Sequence, residues 1–240
     1  MENKEELNNL GISYLSEIEK EKRTLSNYPI IDTGKTPKEN LNVNCLPLLS
    51  EDDQNSDLSL MYGSLLLTLD STNELIVDYC DTWKLIAREN SMVMIYNTYY
   101  YRKEFTIGAY IIADIRYFID MIISLTWYLK NSRKCKLAVS SIGEYVNKKD
   151  RKFDDYDQFI PFMKKTNDIS NAYKHSVPNT IRNLIGKNEP CIFAKYSKKN
   201  KDIFHPVLIE IALSEYINQF QEFFDYSKCK ISELSIGTTE

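Results

Sequence analysis

The longest apolar stretch of the chain runs from Phe105 to Leu129 and constrains the fold more than any other segment. As a helix it is long enough to cross a bilayer. However, Asp114, Arg116 and Asp120 lie in its interior, and a charged side chain is costly at the centre of a membrane. The segment therefore predicts a buried core helix in a protein that does not span a membrane.

Three parts of the 240-residue chain differ in pattern. Apolar residues recur at helical spacing between residues 2 and 27, with Glu and Lys between them, which predicts an N-terminal amphipathic helix at 1–27. Residues 28–56 lose this period and contain three prolines, which predicts a loop or linker. The remainder, 57–240, has the length and apolar content of one helical-bundle domain.

The N-terminal residues MENKEELNN are charged and contain no apolar signal-peptide core. The five cysteines are scattered without a close pair, so no zinc knuckle and no CxxC redox site is present in the pattern. An odd, scattered set of cysteines fits a reducing compartment better than a disulfide scaffold. We expect a cytoplasmic protein.

Helical patterns dominate the first half of the 57–240 domain. Residues 58–131 are predicted to be helical almost throughout, and Ser71-Thr-Asn-Glu74 matches a capping box that would start a new helix at Ser71. Residues 91–104 are ambiguous, because their aromatic and β-branched side chains favour strand. The flanking helices lead us to prefer helix for this segment.

The second half predicts two further helices around a hairpin. Pro161–Ser176 should form one helix, with the proline in its first turn. Residues 191–196 predict a strand, and residues 203–211 fit either its partner strand or the start of the next helix. Residues 214–227 predict a closing amphipathic helix. The predicted fold class is mostly α: a helical bundle with one small β-hairpin near the C-terminus.

The charge of the chain is unevenly distributed. The net charge is only −4, but residues 130–201 contain 17 Lys and Arg against 7 Asp and Glu. A basic segment of this kind attracts anionic partners, and RNA is the partner that we expect if the segment is functional. The alternative is a solvated surface whose lysines are balanced by the acidic remainder of the chain.

The most informative motif lies on the helix predicted at 161–176. Asn171 and His175 are four residues apart and therefore share one helix face. Lys164 and Asp168 extend that polar face. The side chains of Phe162, Ile169 and Tyr173 fall on the opposite, apolar face, which should turn towards the core.

His175 is expected in the last turn of this helix, where the helix dipole favours a cation. An imidazole that titrates near neutral pH suits proton transfer, and Lys174 could attract a phosphate. These groups suffice for metal-independent phosphodiester cleavage. No metal-binding or cofactor-binding pattern occurs, so we predict neither. The structural alternative is a histidine that only caps the helix or meets solvent.

The segment SNAYKH at residues 170–175 resembles the R-N-x-x-x-H signature of the HEPN superfamily. The resemblance implies an all-α, often dimeric domain, and in many members a metal-independent RNase of a toxin–antitoxin, CRISPR or antiphage system. It implies Asn171, Lys174 and His175 as site residues. The arginine position of the signature is Ser170 here. Arg116, in the central helix, could supply the missing guanidinium from across the bundle, or it could form a buried ion pair with Asp114 or Asp120.

Two functions therefore remain open. In the first, the protein is a HEPN-like RNase or a degenerate RNA-binding module, and its expected partners are RNA and a second copy in a homodimer. In the second, it is a non-enzymatic scaffold that binds another protein. His205 is predicted to be a turn residue. The carboxylates Asp154, Asp155 and Asp157 are predicted to cap and solubilise the next helix rather than bind a metal.

Overall fold

The computed structural model describes residues 28–33, 57–88, 98–131, 137–147, 153–175, 189–196 and 207–236. In chain order, the elements are α1 (Asp57–Arg88), α2 (Thr98–Lys130), α3 (Ile142–Asn147), a 3₁₀ turn (Asp157–Phe159), α4 (Ile160–His175), β1 (Cys191–Tyr196), β2 (Val207–Ala212) and α5 (Leu213–Ile236). The predicted fold class, mostly α with one small hairpin near the C-terminus, is confirmed. The N-terminal helix predicted at 1–27 lies outside the described residues, as do residues 34–56.

Helix α2 is the centre of the bundle. It packs against α1, α3, α4 and α5, and Ile111, Ile115 and Ile122 on its core face are fully buried. The ring of Phe118 meets the rings of Phe220 and Phe224 of α5 edge-on, with centroids 5.4 and 5.6 Å apart. The prediction of a buried core helix is confirmed, and two of its charged residues, Arg116 and Asp120, contact α4 and the start of α3.

Helices α1 and α2 pack side by side in opposite directions. Ser64 near the start of α1 reaches Tyr117, with 3.2 Å between the hydroxyl oxygens, and Tyr79 further along reaches back to Glu104. As the residue number rises along α1, the number of the contacted residue falls along α2, so the two helices are antiparallel. Among the residues that the structure describes, no helix is long and apolar enough to cross a membrane.

The prediction that a helix starts at Ser71 is wrong. Helix α1 runs without a break through this position, and Ser71 is an exposed residue in its middle. The apolar stripe of Leu65, Leu69 and Ile76 continues on both sides and is buried. Burial of a continuous stripe outweighs a local capping pattern, since a cap contributes only about 1 kcal/mol.

The structure decides between strand and helix for residues 207–211. Residues 207–212 form a strand that pairs antiparallel with β1, from Cys191 opposite Ala212 to Tyr196 opposite Val207. Helix α5 extends to Ile236, beyond the predicted end at residue 227. The extension has a physical cause, because Ile231 is fully buried and continues the apolar face.

Residues 28–33 form an irregular segment that two side-chain amides hold against the bundle. Asn73 of α1 accepts the N–H of Ile31 at 2.8 Å and donates to its carbonyl at 2.9 Å. Gln221 of α5 makes the same pair of contacts with Asp32, at 2.8 and 3.2 Å. Each amide thus satisfies both backbone groups of one residue, which ties the segment to α1 and α5.

Asp155 does not merely cap and solubilise the next helix, as predicted; it is a buried link between helices. Only 4% of its side chain is exposed, and its carboxylate lies 2.7 Å from Nζ of Lys130 on α2 and 3.3 Å from Nζ of Lys230 on α5. A carboxylate is buried without a large cost only when it is paired. Asp155 therefore links the C-terminal end of α2 to α5.

Replacing Asp155 with Asn should lower the free energy of unfolding by about 1–3 kcal/mol, because two ammonium groups lose their shared carboxylate. Asp154→Asn is the matched control, since the Asp154 side chain is 67% exposed and lies 3.9 Å from the same lysine. Urea denaturation at neutral pH measures both variants. Equal stabilities for the two variants would show that the buried link contributes nothing.

Candidate functional site

Helix α4 places the motif between the core and the surface. Phe162 and Ile169 are buried, and the phenol of Tyr173 donates to the carbonyl of Phe193 at 2.9 Å. The predicted core face of this helix is therefore confirmed. On the other side Lys164 and Lys174 are exposed, and Asn171 is half-buried.

The side chain of Arg116 crosses from α2 to the motif. Its Nη1 donates to Oγ of Ser170 and to Oδ1 of Asn171, both at 3.1 Å. Ser170 is itself almost fully buried. The guanidinium thus lies against two neighbouring residues of α4, although it comes from a different helix.

Asp120 forms an ion pair with Arg116. Its Oδ2 lies 3.8 Å from Nε of Arg116, one turn earlier on the same helix. Its Oδ1 accepts the backbone N–H of Ile142 at 2.6 Å, which attaches the start of α3. Both alternatives for Arg116 are therefore realised together: it pairs with Asp120 and it also reaches the motif.

Burial raises the pKa of the Asp120 carboxyl, while the Ile142 N–H and the charges of Arg116 and Lys174 oppose that rise. The influence of Lys174 indicates that its ammonium belongs to the same electrostatic cluster. The charge of Glu144 also acts on Asp120 and adds to the rise of its pKa. The two cations Arg116 and Lys174 are therefore balanced here by two carboxylates.

Arg116 retains N–H groups that are available to bind a ligand. The Nη1 group of Arg116 serves Ser170 and Asn171, and Nε faces Asp120. Within the described residues, Nη2 of Arg116 forms no hydrogen bond. A guanidinium carries N–H groups on all three nitrogens, and two N–H groups directed to one side match a phosphate.

Of the four predicted site residues, the structure brings Arg116 and Asn171 into contact. Lys174 is exposed on the next turn of α4, and its charge acts on Asp120. The side chain of His175, the last residue of α4, lies outside the described residues, and so does His205. Most of the basic residues in 130–201 also fall outside the described ranges. Lys130 and Lys165, which are described, face Asp155 and Glu215.

The site contains one contribution that the sequence pattern did not assign and one that it gave only as an alternative. Ser170 is a hydrogen-bond acceptor for Arg116, and Asp120 forms an ion pair with the same guanidinium. The latter was one of the predicted alternatives, and it fits the spacing, because Arg116 and Asp120 are four residues apart. No pattern within one helix could have suggested the former.

No group of three or more His, Cys, Asp or Glu in the described part of the chain is placed to hold a metal ion. The sequence matches no protein-family model, no curated protein and no solved structure. Function must therefore be inferred from the residues of the site and their chemistry.

Proposed function

We propose that this chain is a HEPN-like, RNA-directed protein that cleaves RNA without a metal ion, of the kind found in bacterial defence or toxin–antitoxin systems. Its site comprises Arg116, Asn171, Lys174 and His175. The RNA backbone is also expected to contact the basic 130–201 segment, and the protein is expected to act as a homodimer in the cytoplasm.

The observation that carries this proposal is the position of Arg116. The signature residue that normally supplies a guanidinium is Ser170, and a serine carries no charge. The 3.1 Å contacts of Arg116 with Ser170 and Asn171 bring a guanidinium to the same turn of α4. A cation from a neighbouring helix can therefore replace the one missing from the motif.

In the proposed reaction, neutral His175 accepts the proton of a ribose 2′-hydroxyl. The 2′ oxygen forms a bond to phosphorus, the bond from phosphorus to the 5′ oxygen breaks, and a 2′,3′-cyclic phosphate results. The departing 5′ oxygen takes a proton from water or from His175 of a second copy in the homodimer. Arg116 and Lys174 stabilise the charge that develops on the phosphoryl oxygens, and Asn171 orients the phosphate.

The test is an RNA cleavage assay in excess EDTA with the wild-type protein and His175→Ala. We expect cleavage that survives EDTA, ends in a cyclic phosphate and falls at least about 10²-fold in the variant, as the loss of a general base requires. Absence of cleavage by the wild type across several RNAs would refute the catalytic proposal. RNA binding in the same samples that weakens with salt would then identify a degenerate RNA-binding module.

A second candidate function, a protein-binding scaffold, is favoured by one specific surface. Leu60 and Leu67 of α1 are 75% and 57% exposed, and Tyr110 and Tyr117 of α2 are also exposed. Ser64 lies between the two leucines and contacts Tyr117, which places these side chains on one side of the α1–α2 pair. Neither cleavage nor binding of RNA in the assay above would favour this function.

A further inference from the structure

Glu104 is a buried acid at the junction of α1, α2, α4 and the hairpin. It lies on the core-facing stripe of α2, one turn before Gly108, and is only 7% exposed. No lysine, arginine or histidine among the described residues forms an ion pair with it. A buried carboxylate without a cation is costly, so packing in the core does not by itself account for an acid at this position.

The hairpin is attached to the bundle by two phenols beside this acid. Tyr79 of α1 donates to the carbonyl of Cys191 at 2.6 Å, and Tyr173 of α4 donates to the carbonyl of Phe193 at 2.9 Å. Carbonyls two residues apart in a strand point to the same edge. The two tyrosines therefore hold one edge of β1.

Gly108 makes room for this arrangement. A Cβ atom at residue 108 would lie 3.1 Å from Cε2 of Tyr79 and 3.5 Å from Oη of Tyr173. The phenols consequently lie directly over the backbone of α2, next to Glu104. The hairpin, both tyrosines and the acid form one contiguous group.

The hydrogens available in this group favour the protonated state of Glu104. The Tyr79 hydroxyl has one hydrogen, yet its oxygen lies 2.6 Å from the Cys191 carbonyl and 3.1 Å from Oε1 of Glu104. The carbonyl can only accept, and it is the closer of the two. If Glu104 is ionised, this one hydrogen has to be shared between the two acceptor oxygens. If Glu104 is protonated, the acid donates its own hydrogen to the Tyr79 oxygen, and each contact has a hydrogen of its own.

The groups that face Glu104 agree with this state. They are Tyr79 from α1 and Tyr173 from α4. Cys191 of β1 acts on Tyr79, and Arg102 and Lys103 of the same helix as Glu104 are exposed. Burial raises the pKa of Glu104 to about 7. A hydrogen donated by Tyr79 to the ionised carboxylate opposes this rise, but the Cys191 carbonyl is the closer acceptor of that hydrogen. Burial also raises the pKa of both phenols, which remain neutral.

We propose that a proton on Glu104 holds the β1–β2 hairpin against α1 and α4, and that loss of this proton loosens the hairpin. Ionised Glu104 would place its negative charge against an oxygen whose only hydrogen points to the Cys191 carbonyl. Release of the hairpin from Tyr79 lets water reach the carboxylate. This device is independent of the proposed RNA chemistry, and its test uses no RNA.

The pH dependence has a definite sign. The pKa of Glu104 in the folded protein is about 7, above its ordinary value of 4.5. The protonated acid therefore contributes fully below about pH 4.5, and its contribution is lost as the pH rises through 7. Hairpin opening should become on the order of 10²-fold more favourable between pH 5 and pH 8.

The experiment compares the full-length wild type with Glu104→Gln by amide hydrogen exchange at pH 5 and pH 8, with rates corrected for intrinsic exchange. The Gln amide donates to Tyr79 at every pH, so we expect β1 and β2 to stay protected in the variant at pH 8. In the wild type their protection should fall on the order of 10²-fold. Glu74→Gln, an exposed glutamate on α1, is the matched control and should behave as the wild type.

Equal pH dependence of hairpin protection in the wild type and Glu104→Gln would overturn the proposal. A carbon-13 NMR titration of the Glu104 carboxyl in the wild type covers the case in which the variant does not fold. A midpoint near 7 that moves together with the hairpin resonances supports the proposal. An ordinary glutamate midpoint overturns it.

Discussion

Arg116→Ala is expected to reduce RNA cleavage in EDTA by about 10²–10³-fold, the usual cost of losing one group that stabilises developing charge. The side chain is only 18% exposed and its Nη1 joins Ser170 and Asn171. Arg116→Lys should restore only part of the activity, because one ammonium cannot reach Ser170, Asn171 and Asp120 together and lacks the fork that matches a phosphate. The measurement is kcat/KM on a short fluorogenic RNA.

Arg102→Ala is the matched control, since Arg102 lies on the same helix but is exposed near its N-terminal end. It removes the same charge and should leave the rate within about twofold, apart from weaker salt-dependent binding. Cleavage by Arg116→Ala at the wild-type rate, alongside loss of cleavage in His175→Ala, would exclude Arg116 from the mechanism. That result would leave Lys174 as the cation of the site.

Phe118→Ala is expected to lower the free energy of unfolding by about 3–5 kcal/mol, the cost of removing a large buried ring that the surrounding side chains cannot replace. Phe118 is fully buried at the centre of α2. Its ring joins α2 to α5 through edge-on contacts with Phe220 and Phe224. Urea denaturation followed by far-ultraviolet circular dichroism measures the change.

Leu60→Ala is the comparison for this substitution, because Leu60 is 75% exposed on α1. Its stability should stay within about 0.5 kcal/mol of the wild type, as is usual for exposed positions. A loss for Phe118→Ala no larger than that for Leu60→Ala would mean that α2 is not the core of the bundle. A concentration-dependent change for Leu60→Ala alone would instead indicate that its surface is covered by a second copy.

The helices that were predicted well are those whose apolar residues recur at one period over several turns. On α4, Phe162 and Ile169 are spaced to fall on one stripe, and that stripe is buried. The start predicted at Ser71 is wrong because a four-residue capping pattern carries little free energy compared with the burial that continues through α1. The end of α5 was placed too early for the same reason, since Ile231 still contributes to the core.

The candidate site could be predicted only in part. Asn171, Lys174 and His175 lie within one helical turn, so their spacing alone places them together. The contact of Arg116 with Ser170 joins residues 54 positions apart in the chain. It depends on how α2 packs against α4, and no local pattern records that packing.

The role of Glu104 also depends on contacts that the sequence does not record. The pattern of residues 91–104 is ambiguous, so it does not place Glu104 on the buried face of α2, and a charged residue is unusual at a core position. Its partner Tyr79 comes from α1, and the carbonyl that takes the Tyr79 proton comes from β1. The protonation of the acid follows from three elements that meet only in the folded chain.

The sequence by itself determined that residues 105–130, 161–175 and 214–227 are helical, that residues 191–196 form a strand, and which face of α4 turns inward. These properties depend on side chains that are neighbours along the chain, and the helical and strand periods express them directly. Tertiary structure alone decided that Arg116 reaches Ser170, that Asp155 links two lysines, and that Glu104 lies under the hairpin. Such contacts arise when distant segments pack together and each buried polar group must find its partner there.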